Sequence, residues 1–594
     1  MLFGKHINRY YIRYAPALLF GIFALIVVDW AQLLIPGLYR MVINGMNTGV
    51  IEQDGVLVRF DLDFLLDRIC LPMLGIICAM VVGRFLWRVC FYGTAIRLET
   101  DLRNRMFDRC RTLPQEYYQQ GKVGTLMSLF TNDLETVQDC FGDGILMLFD
   151  ASFLGLLALY RMFQMHALLT LFALVPMTLL LVCGTIIKKY MMQKWETRQE
   201  AFSALSDFSQ ESFSGLAVIK AFANEGRELL AFRKINRDNE EANVAYTKLS
   251  TTLNVTVTLL VESVVGVILG YGGYLVYRGV FDAGRLVEFI GYFTSTVWPI
   301  TAISQMLEMT SRGKASLARI GELLDTEPAV CDRPDAKEIR LTEGKIEFRH
   351  LNFRYPDGSR DVLHDVSFTV EPGERVGIVG DTGSGKTTIA DLLLRTYNVP
   401  DGTLFLDGYD INSLTLHSVR SAIAYVPQDN FLFSDTIGNN IAFSSDDASL
   451  EAITAAARMA DIDGDVSGFC AGYETVLGER GMTVSGGQKQ RISIARALMK
   501  DAPVLILDDA VSAVDTKTEK AILGSLAAEG KGRTTLMVAH RISTVADADK
   551  IVYIEDGSVA AIGTHDELYE RCPAYRRTVD LQKLEDEGKD YANA

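Results

Sequence analysis

Residues 167–187 read ALLTLFALVPMTLLLVCGTII, 21 consecutive positions without a charge. Inside a bilayer no water satisfies backbone N–H and C=O groups, so an uncharged run of this length leaves one workable structure, a helix about 30 Å long that crosses the hydrocarbon. Similar runs fall at about 16–37, 65–90, 144–160, 253–277 and 286–306, which makes six spans within residues 16–316. The second is the weakest because Arg84 and Arg88 interrupt it, and its pattern carries on past the bilayer as a helix.

At 594 residues and 49% hydrophobic, the chain is too long for one compact core, and its apolar content is uneven. Beyond residue 344 short strands and helices alternate as in a soluble α/β domain. Residues 317–344 hold two prolines, many charges and no long apolar run, and read as a linker. The expected domains are therefore 1–316 in the membrane, 317–344 as linker and 345–594 as a soluble α/β domain.

Basic loops tend to stay on the cytoplasmic side. Six Lys and Arg residues lie between spans two and three and ten between spans four and five, against two, one and two in the other connections. Both termini, and the α/β domain, are accordingly expected in the cytoplasm of a multi-pass protein of the cell membrane. The segment KHINRYYIRYAPALLF shows no small-residue cleavage pattern and reads as an amphipathic helix lying on the membrane surface. The two basic connections, 91–143 and 188–252, have helical spacing and extend the membrane helices. Each is broken once, near QEYYQQGKVGT and near ESFSGLAVIKAFANEGRE, where short transverse helices are expected to touch the α/β domain.

Nine cysteines without a CxxC pair or a His cluster support neither zinc nor a disulfide framework, and Cys331, Cys470 and Cys572 are expected as reduced thiols. A net charge of −16 argues against a nucleic-acid partner.

The strand ERVGIVG runs into GDTGSGKTT, a G-x-x-x-x-G-K-T loop with Gly380, Thr382, Gly383, Ser384, Gly385, Lys386, Thr387 and Thr388, followed by the helical pattern TIADLLLRTY. Glycines let backbone N–H groups converge on phosphate oxygens, the helix N-terminus and Lys386 add positive charge, and Thr387 is placed to ligate Mg²⁺. Downstream, VLILDDAVSAVD is an apolar strand that ends in carboxylates, with Asp508 suited to a divalent metal beside phosphate. Paired with the phosphate loop, this points to ATP and Mg²⁺.

Between the two lies TVSGGQKQRISIARAL, whose Ser485, Gly486, Gly487 and Gln488 resemble the signature motif of ABC transporters. Other elements follow the family order. Tyr355 in FRYPDG is similar to the aromatic that stacks on adenine, and Gln428 in YVPQDNFLF to the glutamine that reaches the metal and the water. Gly478 to Gly481 match the segment that meets the opposite cytoplasmic loop, Asp515 the D-loop aspartate and His540 the switch histidine. Taken singly, each has an ordinary reading: a strand aromatic, a turn residue, a core histidine. The whole chain resembles a half-transporter of the bacterial exporter type. The resemblance implies a six-helix all-α membrane domain with long cytoplasmic helical extensions, an α/β ABC nucleotide-binding domain, and ATPase activity coupled to export of a hydrophobic or amphipathic solute. It also implies pairing with a second half-transporter chain among membrane lipids, each ATP lying between one chain's phosphate loop and the other's signature motif.

In that family the residue after the metal-binding aspartate is normally Glu; here it is Asp509. A general base must come within about 2.6–3.2 Å of its proton, and one lost C–C bond withdraws the carboxylate by roughly 1.5 Å. A positioned base is worth about 10²- to 10⁴-fold in rate, so this pocket is expected to bind ATP and cleave it slowly. A heterodimer in which this chain supplies the impaired site and an intact signature motif follows most directly. A homodimeric lipid or peptide exporter with Asp509 as a weak base, a bridging water that restores the reach, and an ATP-gated membrane regulator that does not pump are the other readings.

Asp29, Arg84, Arg88, Asp150 and Glu262 fall inside the expected spans, and such charges face a solute path or pair among themselves. Tyr271, Tyr274, Tyr292, Phe293, Trp298 and Met306 either line a pocket for amphipathic compounds or pack helices.

Overall fold

The computed structural model describes residues 4–53, 56–120, 123–445, 448–478, 481, 483–529 and 532–593. The chain divides into two compact units, Met1–Cys110 with Gly124–Thr326, and Arg111–Val123 with Glu327–Ala594.

The first unit is helical except for one hairpin. Its long helices are Ala15–Gln32, Ile35–Thr48, Leu71–Thr112, Leu134–Met165, Ala167–Ser214, Glu225–Tyr277 and Ala283–Asp325. Five stretches are long and apolar enough to cross a membrane: Ala15–Thr48, Leu62–Thr112, Gly124–Met165, Glu225–Tyr277 and Ala283–Asp325. For the run at 167–187, the described apolar stretch is Ala167–Pro176, and the side chains at 177 and 179–189 lie outside the described residues. The first apolar run is broken because Pro36, in the opening turn of Ile35–Thr48, has no N–H to give the Gln32 carbonyl four residues back, where the preceding helix ends. Helix continues well past the span ends, as the spacing implies, and Asp133 ties two of the extensions by accepting hydrogen bonds from Ser316 at 2.7 Å and from Arg319.

Two features depart from expectation. Val50–Gln53 and Val56–Arg59 pair antiparallel, and Ile51 packs with Phe64 and Ile69 over the turn of chain that follows. The N-terminal segment is also no free surface helix. It forms a helix of 6 residues, Asn8–Arg13, with Ile7 and Tyr10 fully buried and Arg9 and Lys5 paired to Asp101 at 2.9 Å and Asp325 at 2.8 Å. Ile7 and Tyr10 meet protein, while Ile12 is 79% exposed.

Both broken connections contain the short helices anticipated. Gln115–Gln120 belongs to the second unit, where Leu113, Pro114 and Gln115 line a cavity of about 520 Å³ with Tyr425, Arg420, Arg496 and Lys500. Leu216–Ala221 stays with the first unit and buries none of its residues.

The second unit is built on a six-stranded sheet in the order Ser558–Gly563, Lys550–Glu555, Arg375–Gly380, Thr534–Val538, Val504–Asp508, Ile423–Val426. Only the first pair is antiparallel. Val504–Asp508 and Thr534–Val538 are buried at every position, as expected of parallel strands covered on both faces. A four-stranded antiparallel sheet, Leu363–Val370, Ile346–Phe353, Leu404–Leu406 and Tyr409–Asp410, packs on one side of this core. Parallel register sets Val538 beside both Ile378 and Asp508, so the carboxyl ends of three neighbouring strands open on one edge, where α/β sheets bind their ligands.

Candidate nucleotide site

The phosphate loop leaves the strand Arg375–Gly380 and closes on the helix Lys386–Leu393. Gly385 caps that helix at φ +96°, a conformation L side chains rarely adopt, and a β-carbon on Gly380 would lie 2.1 Å from the Ile554 carbonyl oxygen. The loop can therefore be built only of glycine at these two positions. Lys386 is 4% exposed, and its Nζ donates to the Gly380 and Asp381 carbonyls of its own loop at 2.9 and 2.7 Å. Burial lowers its pKa, opposed by Asp381, Asp508 and Asp509. Ser384 Oγ is buried with no partner. A hydroxyl without a partner and an ammonium folded onto loop carbonyls fit a polyphosphate, which satisfies both.

Asp508 is 1% exposed at the end of its strand. Burial raises its pKa, offset by hydrogen bonds from Thr387 Oγ1 and Tyr425 Oη, each at 3.3 Å. Asp509 sits at φ +48° with its backbone held on both sides. Its N–H donates to the Val538 carbonyl at 2.8 Å, and its carbonyl accepts Gln490 Nε2 at 3.1 Å and Ser512 Oγ at 2.9 Å. His540 follows the adjacent strand, electrostatically coupled to Asp508, with its carbonyl accepting Gln582 Nε2 at 2.7 Å. Tyr355 Oη is 2.8 Å from Thr388 Oγ1, and its ring meets Tyr397 and Phe353 edge-on, each at 5.1 Å.

The structure thus gathers the loop from Gly380 to Thr388, Tyr355, Asp508, Asp509 and His540. It leaves others apart. Gln428 is exposed and has no side-chain hydrogen bond to Thr387, Asp508 or Asp509. Ser485 caps the helix Gly486–Leu498, its Oγ accepting the Gln488 N–H at 3.2 Å while Gln488 Oε1 accepts the Ser485 N–H at 3.0 Å. This helix N-terminus, with Gly486, faces outward. Asp515 is spent on its own helix, accepting the Lys517 and Thr518 N–H groups at 3.0 Å, and these bonds hold its pKa below the usual carboxylate range. Of the segment Gly478 to Gly481, Glu479 and Arg480 lie outside the described residues.

Residues 18–300 match the family model of the ABC transporter transmembrane region and residues 363–512 that of the ABC transporter. The chain is 35% identical to the probable multidrug resistance ABC transporter ATP-binding/permease protein YheI of Bacillus subtilis, covering 98% of this chain and 97% of that protein. The chain belongs to the ABC transporter family. The transporter is also 34% identical to the multidrug resistance-like ATP-binding protein MdlA of Escherichia coli, over 94% of this chain and 93% of that one. Its fold matches a bacterial Atm1-family ABC exporter with ATP bound at a TM-score of 0.75 and 27% identity, covering 97% and 98% of the two chains. The transporter is therefore an ATPase that drives transport across a membrane, with a helical membrane region before an α/β nucleotide-binding domain.

Sequence reasoning passed over Tyr425 and Gln490. Tyr425 is the penultimate residue of the strand Ile423–Val426, and nothing in its spacing marks the hydroxyl as a donor to Asp508. Gln490 reads as one more polar position in an amphipathic helix.

Proposed function

We propose that the transporter exports hydrophobic or amphipathic solutes across the cell membrane as one half of a heterodimer, supplying a slow ATP site and an intact signature motif. Its membrane domain covers 1–316, a linker 317–344 and the nucleotide domain 345–594, with both termini in the cytoplasm. Tyr355 stacks on adenine, and residues 380–388 hold the phosphates with Lys386 as the charged contact. Thr387, Asp508 and Gln428 hold Mg²⁺, which neutralises phosphate charge. His540 contacts the terminal phosphate, and Ser485, Gly486, Gly487, Gln488 and Asp515 complete the site on the partner chain. The multidrug exporters among its relatives support the choice of solute.

One observation carries the asymmetry. Asp509 is one methylene shorter than the glutamate usual in this position, and its backbone is anchored through Val538, Gln490 and Ser512, so the strand end cannot advance to restore the reach. The pocket clamps ATP more than it cleaves it. The test is ATP-driven uptake of an amphipathic fluorophore into inside-out vesicles. Uptake is expected when this chain is joined by a half-transporter carrying Glu after its metal-binding Asp. Equal uptake by this chain without any other would contradict the reading.

A further inference from the structure

Four helices of the membrane unit converge on two carboxyl groups. Val28 of Ala15–Gln32 packs against Gly83 of Leu71–Thr112, where a β-carbon would lie 2.4 Å from Val28 Cγ2. Gly155 of Leu134–Met165 packs against Pro299 of Ala283–Asp325, where a β-carbon would lie 3.2 Å from Pro299 Cβ. Asp29 adjoins the first contact and Trp298 the second. Asp150 joins them: it lies within hydrogen-bonding reach of Asp29 and accepts a hydrogen bond from Trp298 Nε1.

Asp29 is 2% exposed, yet its Oδ2 has no hydrogen-bond partner. Arg84 is the cation that faces it, but that side chain is exposed and leaves the oxygen unsatisfied. Arg88 is turned over the Trp87 ring at 5.3 Å. Among the described residues, the exposed Arg84 is thus the cation set against two adjacent carboxyl groups, and charge in a membrane interior calls for a partner of opposite sign. Trp298 is 43% exposed, so its ring is open to a guest, and its N–H engages one oxygen of Asp150.

We propose that Asp29, Asp150 and Trp298 form a binding site for an organic cation with an apolar or aromatic body. The cation supplies the missing charge, and the indole face holds it by cation–π attraction and apolar contact. This rests on the export reading above and narrows it to a charge class of solute. An anion of the same shape is rejected by the carboxylates, and a neutral molecule gains only the apolar contact.

The test titrates the full-length chain in lipid nanodiscs with tetraphenylphosphonium, tetraphenylborate and triphenylphosphine oxide. The phosphonium is expected to bind at least about tenfold tighter than the borate. Asp29→Asn and Asp150→Asn are each expected to weaken phosphonium binding about tenfold while affinity for the neutral oxide and for a fluorescent ATP analogue is unchanged, and Asp150→Glu retains most of the selectivity. Unchanged phosphonium affinity in both Asn variants, or an equal loss for the phosphonium and the oxide, overturns the site. ATP-driven uptake into vesicles is measured separately: its absence alongside intact phosphonium selectivity sinks the export reading and leaves the site standing.

Discussion

Gln490 and Asp509 are joined across the turn that follows the strand Val504–Asp508: Gln490 Nε2 donates to the Asp509 carbonyl at 3.1 Å, and Gln490 Oε1 accepts the Ala513 N–H at 2.9 Å. The side chain is 3% exposed, so its amide replaces water for both ends of the turn. Gln490→Leu removes both bonds, at about 0.5–1.5 kcal/mol each. Denaturant unfolding of the purified variant is expected to show that loss.

Tyr425 donates to Asp508 Oδ2 and fixes the carboxylate that is to hold Mg²⁺. Tyr425→Phe removes the donor and little else. The Mg²⁺ concentration needed for half-maximal turnover should rise by about three- to tenfold, equivalent to one ordinary hydrogen bond of about 0.6–1.4 kcal/mol. An unchanged Mg²⁺ dependence would show that the bond does not position Asp508.

Asp391, on the helix after the phosphate loop, has its pKa pushed up to about 6, chiefly by burial and further by Asp508. The folded domain therefore binds more protons here than the unfolded chain, and stability contributed by the protonated acid is present below the ordinary value of 3.8 and lost as pH rises to about 6. Asp391→Asn should remove this slope and stabilise the domain at pH 7.5 by about 1 kcal/mol after solvent screening is discounted. Thermal melts without nucleotide or Mg²⁺ check it.

Ser485 is exposed and caps its helix with a complete capping box. Ser485→Ala costs the cap about 0.5–2 kcal/mol and removes the hydroxyl proposed above to meet the other chain's ATP. In the assembled pair this variant should lower turnover more than Asp509→Asn does. The reverse order would place the competent site on this chain's own phosphate loop.

Much of the molecule was legible because its signals are local. Lys386 and Gly385 announce a phosphate loop through backbone geometry that few other residues permit, and uncharged runs such as 167–187 admit one structure in lipid. The hairpin at Val50–Arg59 was not legible, since four-residue strands carry too few alternations to stand out beside membrane helices. Tyr10 read as part of a surface helix because its burial depends on Asp101, 91 residues away. The Tyr425–Asp508 and Gln490–Asp509 bonds arise from strand and helix packing that no spacing encodes. The ionisable residues in the spans were visible as a class, but only the fold sets Asp29 against Asp150 as well as Arg84.

The short carboxylate of Asp509 is the centre of the account, and lengthening it is the most direct test. Steady-state ATP turnover of this chain purified without a second half-transporter, wild type against Asp509→Glu, should rise by about 10²-fold when the base regains its reach, with nucleotide affinity unchanged. Turnover that stays the same or falls would contradict the claim that the shortened side chain limits hydrolysis in this pocket.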